Sequence, residues 1–310
     1  MIEFTVAPED AGQRLDHFLG ARMPGHSRAR IQAWIAEGRV RAAGSPRKPS
    51  WKVRAGERIE VEPAEPPPLR AFSEEIPLEI LYEDEAVVAV NKPAGLVVHA
   101  GAGRSSGTLV NALLHRYGRL SESGDALRPG IVHRLDKGTS GAILVARTEA
   151  AHRSLAQQFA SRTVEKIYLA LAEGRVEPPQ GVIDRPIERD PVRRTRMTAR
   201  TGRGRAALTE YRVLERLGRF TLLEVRIRTG RTHQIRVHLA SIGHPVAGDT
   251  LYGAAARPAG IEPLGRPWLH AWRIGFTSPA TGERVLIEAP LPQELLRWKA
   301  QLACADNESG

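Results

Sequence analysis

One cysteine stands among the 310 residues, Cys304, so the chain can form no disulfide within itself and no cysteine-based metal site. Such sparse thiol usage fits a reducing compartment, and a cytoplasmic location is expected. No stretch approaches the roughly 18 uncharged apolar residues that a membrane-spanning helix needs, so no membrane association is expected. The opening Met1-Ile2-Glu3-Phe4-Thr5-Val6 lacks a basic start followed by an apolar run, so no signal peptide is expected. Acid is also in deficit: 45 Lys and Arg against 35 Asp and Glu leave a formal net charge of +10. That balance favours a polyanionic partner, nucleic acid being the commonest, although a basic surface can also serve solubility alone.

The length suggests two domains of about 100–200 residues each. Residues 1–62 read as a small unit. Leu15, Phe18 and Leu19 fall on one stripe of a helix over Arg14–Met23. Ser27 is placed to cap a second helix that buries Ile31, Trp34 and Ile35 and stops at Gly38. Short strands follow at Arg39–Ala42 and Glu57–Val61. Proline crowds Pro63-Ala64-Glu65-Pro66-Pro67-Pro68, which excludes helix or central strand and reads as a stiff linker over 63–71. Residues 72–300 then form the larger domain, with a flexible tail at 301–310. In that domain the pattern gives paired strands at Ile80–Tyr82 and Ala86–Val90 and a helix at Thr108–Tyr117. A buried strand follows at Ala142–Ala146, then a helix capped by Thr148 with His152, Leu155, Ala156 and Phe159 on one side. Further strand runs lie at Lys166–Ala172, Leu208–Leu214, Phe220–Arg228, Trp272–Phe276 and Val285–Glu288. Many strands with few intervening helices indicate an α+β fold with a mixed, mainly antiparallel sheet.

The positive charge is clustered. Between Arg28 and Arg58 stand nine Lys or Arg and two acids. Arg193–Arg205 holds six arginines and no acid, and Arg226, Arg228, Arg231 and Arg236 form a third group. A lone run reads equally well as a solvated loop. Three separate ones favour RNA or DNA, because guanidinium groups pair with phosphates and supply affinity without choosing sequence.

Three segments carry candidate chemistry. His133-Arg134-Leu135-Asp136-Lys137-Gly138-Thr139-Ser140-Gly141 is a polar, glycine-bearing loop leading into an apolar strand. Its carboxylate lies between two cations that favour the ionised form, and such a group can attack an electrophilic carbon. Local chemistry leaves Asp136 open between nucleophile and loop cap. Lys166 and Tyr168 share one face of a strand, and Tyr168 is open between a half-buried core ring and a ring that stacks on a base. Thr229-Gly230-Arg231-Thr232-His233-Gln234-Ile235-Arg236-Val237-His238 reads as a helix start. His233 and His238 fall on different faces of that helix, and no further ligand is near, so no metal site is expected.

Together these segments resemble the RluA family of pseudouridine synthases. Asn91-Lys92-Pro93-Ala94-Gly95-Leu96-Val97-Val98-His99, Gly248-Asp249-Thr250-Leu251-Tyr252-Gly253 and Leu269-His270-Ala271 resemble further motifs of that family, in the same order over about residues 76–292. Ala100 stands where the family has proline. Residues 14–61 resemble a small α/β RNA-binding domain of the ribosomal protein S4 type, with Arg41-Ala42-Ala43-Gly44 in place of its asparagine-glycine turn. The combination most resembles the RluD branch, which implies a loop uridine of 23S rRNA, free or in a precursor of the large ribosomal subunit, as substrate. The resemblance implies that a uridine already in RNA is extruded, its glycosidic bond is broken, and the uracil is rejoined through carbon 5, with no cofactor. It implies Asp136 as nucleophile, Arg236 as its partner, Tyr168 as the ring stacked on uracil and Leu269 in the substrate pocket. RNA contacts are expected from Arg28, Arg30, Arg134, Lys137, Arg193, Arg194, Arg196, Arg231, His233 and Gln234, with Arg134 filling the space the base vacates. A monomer is expected. The competing readings are a related synthase acting on tRNA or another rRNA site, and a non-catalytic RNA-binding factor of ribosome assembly.

Overall fold

The computed structural model describes residues 1–64, 71–100, 106–122, 127–199, 202–255 and 261–307, the side chains of 303–307 excepted. Most of the expected linker at 63–71 lies outside the described residues, as does Arg200 of the arginine run. The chain divides into two compact units, Met1–Pro68 and Leu69–Gly310. Among the described residues no helix is long and apolar enough to cross a membrane.

The first unit runs β1 (Ile2–Thr5), α1 (Leu15–Arg22), α2 (Arg28–Ala36), β2 (Val40–Ala42), β3 (Ser45–Pro46) and β4 (Arg58–Val61). Its strands form an antiparallel sheet in the order β1-β4-β2-β3. The Ser27 hydroxyl accepts from the Arg30 amide and caps α2, satisfying one of the free donors of the first turn. Leu15, Phe18, Leu19, Ile31, Trp34 and Ile35 pack on Val40, Ile59 and Val61. The β2–β3 turn takes two left-handed residues, Ala43 at φ 49° and Gly44 at φ 74°. Ala43 thus adopts unaided the conformation that asparagine adopts more readily.

The second unit contains β5 (Glu79–Glu83), β6 (Val87–Lys92), α3 (Leu109–Tyr117), β7 (Ser140–Ala146), α4 (Glu149–Ala160), β8 (Glu165–Glu173), β9 (Gln180–Asp184), β10 (Glu188–Arg189), β11 (Met197–Thr198), β12 (Leu208–Leu217), β13 (Phe220–Ile227), α5 (Gln234–Ser241), β14 (Leu269–Thr277), β15 (Arg284–Glu288) and α6 (Gln293–Asn307). Its main sheet has the order β5-β6-β7-β14-β8-β13-β12-β9, with β15 paired to β14. Every pairing is antiparallel except β7 with β14. The fold is α+β. Helix α6 runs through Asn307, into the segment expected as a flexible tail at 301–310.

The strands alternate, so the sheet has two cores. Val88, Ile143, Val145, Tyr168, Ala170, Val225 and Leu269 meet Leu109 and Leu113 of α3 and Ile235 and Leu239 of α5 on one face. On the other, Val87, Leu144 and Phe276 meet Ala151 and Leu155 of α4. Leu171, Phe220 and Trp268 meet Leu295, Trp298 and Leu302 of α6. Ala156, expected inward on α4, is exposed, because Ala151 and Leu155 carry the buried stripe. Gly141 is required where β7 meets β14: a Cβ there would lie 2.2 Å from the Ala271 carbonyl oxygen. That close approach admits the parallel pairing Ser140–His270 and Gly141–Ala271, which brings two distant motifs together.

Candidate active site

Asp136 lies in the loop that enters β7, and the loop is tied from several sides. The Gly95 amide donates to the Lys137 carbonyl at 2.7 Å, and the Thr139 amide donates to the Asp136 carbonyl at 3.1 Å. Arg266 Nη1 donates to the Gly138 carbonyl at 3.1 Å, while its Nε is held by Glu294 of α6 at 2.8 Å. Lys92 is wholly buried under the loop, its Nζ donating to the carbonyls of Pro93 at 2.8 Å, Leu96 at 2.9 Å and Lys137 at 3.4 Å. Burial and the Arg266 charge push the Lys92 amine down to about 7, with the Asp136 carboxylate pulling the other way.

The expected trio converges. Arg236 projects from α5 and spans two carboxylates. Its Nε and Nη2 pair with Asp249 at 2.5 and 2.9 Å, and its Nη1 reaches Asp136 at 3.3 Å. Burial alone would favour loss of the Arg236 proton; the two carboxylates outweigh it and raise its pKa. The bidentate Asp249 pair fixes the guanidinium plane and leaves one nitrogen for Asp136. Tyr168 lies on β8 between Val225 of β13 and Ala271 of β14, 8% exposed. Burial, then the Asp136 charge, pushes its phenol up, so it stays protonated near neutrality. Asp136, Tyr168, Arg236 and Leu269 line one cavity of about 390 Å³, together with Ile227, Ile235 and Thr139. A second cavity of about 380 Å³, lined by Val98, His99, Lys137 and Pro267, also reaches Asp136 and Arg236. The first cavity combines an apolar wall and one carboxylate with several Lys and Arg side chains.

The expected RNA contacts fare unequally. Arg134 lines both cavities and is exposed; Lys137 lines the second and Arg231 the first. His233 opens α5 in a left-handed conformation, φ 56°. Its Nδ1 is 2.8 Å from the Tyr252 hydroxyl and its Nε2 3.9 Å from Asp136. Burial lowers its pKa; Asp136 opposes this and Arg236 reinforces it. Gln234 also lines the first cavity. It is 4% exposed; its amide nitrogen donates to Leu208 O and Thr209 Oγ1, and its oxygen accepts from Thr229 Oγ1 and the Arg231 amide. With both ends satisfied it braces the loop. Arg193 and Arg194 are exposed outside both cavities. Arg196 pairs with Asp190 at 3.2 Å and lies over the Tyr252 ring. Arg28 and Arg30 belong to the first unit, where Arg28 pairs with Asp16 at 2.8 Å.

Other side chains join the site unannounced by their local sequence. Asp249 and Tyr252 come from the turn after α5, and Tyr252 lies under the Arg236 guanidinium at 5.0 Å. The Gly-Asp-Thr-Leu-Tyr-Gly motif was the available signal. His133 stacks on Phe159 with ring centroids 4.6 Å apart, and its Nε2 accepts from the Leu144 amide at 2.8 Å. Burial, then the Lys166 charge, pushes it down to about 3, so it is neutral. His238 faces Thr209 and the Arg185 carbonyl, away from His233. Among the described residues no group of three or more His, Cys, Asp or Glu side chains is placed to hold a metal ion.

Comparison with known proteins agrees with this geometry. Residues 86–241 match the family model described as RNA pseudouridylate synthase, and residues 13–59 match the S4 domain. An uncharacterized RNA pseudouridine synthase of Aquifex aeolicus is 47% identical over 300 residues, covering 94% of this chain and 94% of its own. The ribosomal large subunit pseudouridine synthase D of Nitrosomonas europaea is 46% identical over 299 residues, covering 95% of this chain and 86% of its own. The solved structure of human RNA pseudouridylate synthase domain containing 1 is similar with a TM-score of 0.56 at 30% identity, over 74% of this chain and 87% of that one.

Proposed function

The chain belongs to the RNA pseudouridylate synthase family, and we propose that it isomerises loop uridines of 23S rRNA with Asp136 as the nucleophile. The observation that carries this reading is the Asp136 carboxylate, 3.3 Å from Arg236, at a cavity walled by Tyr168 and Leu269. The 23S target is supported by the name of the Nitrosomonas relative and by an S4 domain that adds RNA affinity outside the reacting domain.

In the proposed reaction the target uridine leaves its stack, at a cost of a few kcal/mol that is smaller in a loop. Its uracil enters the cavity against Tyr168 and Leu269. Asp136 attacks either the anomeric carbon of the ribose or the base, and the bond from nitrogen 1 to the ribose breaks. The uracil turns while the cavity holds it, carbon 5 bonds to the ribose, and the bond to Asp136 breaks to free the carboxylate; the carbon-5 proton passes to solvent and nitrogen 1 takes one up. Arg236 keeps the carboxylate aimed, and Asp249 keeps Arg236 aimed. The protonated Tyr168 stacks on the ring. Arg134, exposed beside Asp136, fills the gap in the RNA stack. One copy of the chain supplies every residue named, in keeping with a monomer.

The test is to incubate the purified protein with unmodified 23S rRNA, 16S rRNA and tRNA transcripts and map pseudouridine at nucleotide resolution. Pseudouridine in 23S rRNA is the expected result. Formation in tRNA alone overturns the rRNA target, and formation in none overturns the activity.

A further inference from the structure

The cavity holds more positive charge than the proposed chemistry uses. Arg134, Arg162, Lys166, Arg228, Arg231 and Arg236 line it, against the single carboxylate of Asp136. Arg236 is already balanced by Asp249 and Asp136, and Arg228 pairs with Glu210 at 3.2 Å. Uracil is neutral, so the remaining cations are not needed for the base. Lys166 is 9% exposed, yet its ammonium meets no carboxylate among the described residues; its neighbours are the Phe159 ring at 5.8 Å and, through charge, Arg162. Arg231 is steadied by its Nε donating to the Ala206 carbonyl at 3.1 Å. Like charges press on these groups. Burial, then Arg162, pushes Lys166 down to about 8; burial, then Arg205 and Arg162, lowers Arg231.

Arg162 adds an independent observation. It follows Ser161, the C-cap of α4, and adopts φ 62°. That left-handed position after a helix is ordinarily glycine, because a Cβ is unfavourable there. The guanidinium meets no carboxylate among the described residues, so no ion pair within the protein offsets the strain. Backbone strain maintained beside a cavity marks a place where the side chain is wanted.

We propose that Arg162, Lys166 and Arg231 form an anion seat that binds a backbone phosphodiester of the RNA strand beside the extruded uridine. A phosphodiester entering the cluster relieves the mutual repulsion of three cations, and guanidinium groups suit its paired oxygens. The seat rests on the proposed RNA substrate, and it gives that substrate a fixed entry: the base goes to Tyr168 while its backbone is held by the cations.

The experiment uses the full chain and a 23S rRNA transcript, measuring affinity as a function of salt together with the melting temperature of each variant. Pseudouridine formation by the unaltered protein on the same transcript is scored separately, so a wrong target or activity is told apart from a wrong seat. Lys166→Met is expected to weaken binding about tenfold at low salt and to reduce the slope of log affinity against log salt by about 1, with Lys166→Arg restoring both. Arg162→Gly is expected to weaken binding while raising the melting temperature by about 1–3 °C, since glycine relieves the left-handed backbone. A purely structural arginine would give the opposite sign in the melting temperature. Unchanged affinity and salt slope in Lys166→Met, or an Arg162→Gly variant that binds as before, overturns the seat.

Discussion

Each unit contains an aspartate held by arginine, and the two differ in what is left over. Asp16 in the first unit is fully buried. It accepts from Arg14 at 3.0 and 3.3 Å, from Arg28 at 3.1 and 2.8 Å and from Gln32 at 2.7 Å. Burial pushes its pKa up, but these hydrogen bonds outweigh burial and hold the carboxyl well below the usual carboxylate range. Asp136 has one guanidinium at 3.3 Å and one imidazole at 3.9 Å, both on Oδ2, while cavities open beside it. Neighbouring arginine therefore does not distinguish a nucleophile from a structural carboxylate. The difference is that Asp16 accepts through both oxygens in a closed site, whereas the partners of Asp136 among the described residues lie on Oδ2, at the edge of two cavities.

The largest expected loss of stability from one substitution lies at the satisfied aspartate. Asp16→Ala leaves Arg14, Arg28 and Gln32 without their common acceptor; with both guanidinium groups half-exposed to solvent, it should cost about 2–3 kcal/mol in urea unfolding of the first unit. A loss under about 1 kcal/mol would mean that the cluster contributes little, and the comparison would fail on that side.

Acid should then separate the units. His133 and His270 each use a ring nitrogen as acceptor, from the Leu144 amide and the Ser140 hydroxyl, and both brace β7 behind the Asp136 loop. Burial lowers them to about 3 and about 4, with Lys166 adding to the effect on His133 and Arg266 to that on His270. Below about pH 6.5 the unfolded chain takes up protons at both rings and the folded chain does not. The second unit should therefore lose roughly 2–4 kcal/mol between pH 7 and 5. Asp16 contributes stability that is lost only as pH falls below the ordinary carboxylate range, so the first unit should hold through that window. Urea titrations at both pH values, with a signal assigned to each unit, check this; equal loss in both would contradict it.

Smaller again is Asp249→Ala. Without its bidentate anchor Arg236 is free to turn, and kcat should fall about 100-fold with a smaller change in KM. An unchanged kcat would show that Asp136 does not depend on the direction of Arg236.

Much of this was legible in the sequence where the signal is local. Ser27 and Thr148 each cap a helix, as their position before an apolar period implies. Asp136, Tyr168 and Arg236 stand in motifs whose resemblance, not whose local physics, made them a set. What was hidden depends on contacts across the chain. Gln234 looks like a free amide until Leu208 and Thr209 of β12 join its local partners Thr229 and Arg231. The parallel join of β7 to β14 depends on Gly141 meeting Ala271, some 130 positions on. Arg162 gives no sign in sequence that its backbone is left-handed. Helix α6 does carry a readable stripe in Leu295, Trp298 and Leu302, but it follows the proline-bearing Ala289-Pro290-Leu291-Pro292, which masks its start.

The most direct measurement compares Asp136→Asn with the unaltered protein in pseudouridine formation on the same 23S rRNA, with both melting temperatures recorded. Formation should fall by at least about 10³-fold while the melting temperature stays within about 2 °C, because the altered oxygen faces a cavity and supports little of the fold. A folded variant that still forms pseudouridine within about tenfold of the unaltered rate would contradict Asp136 as the nucleophile.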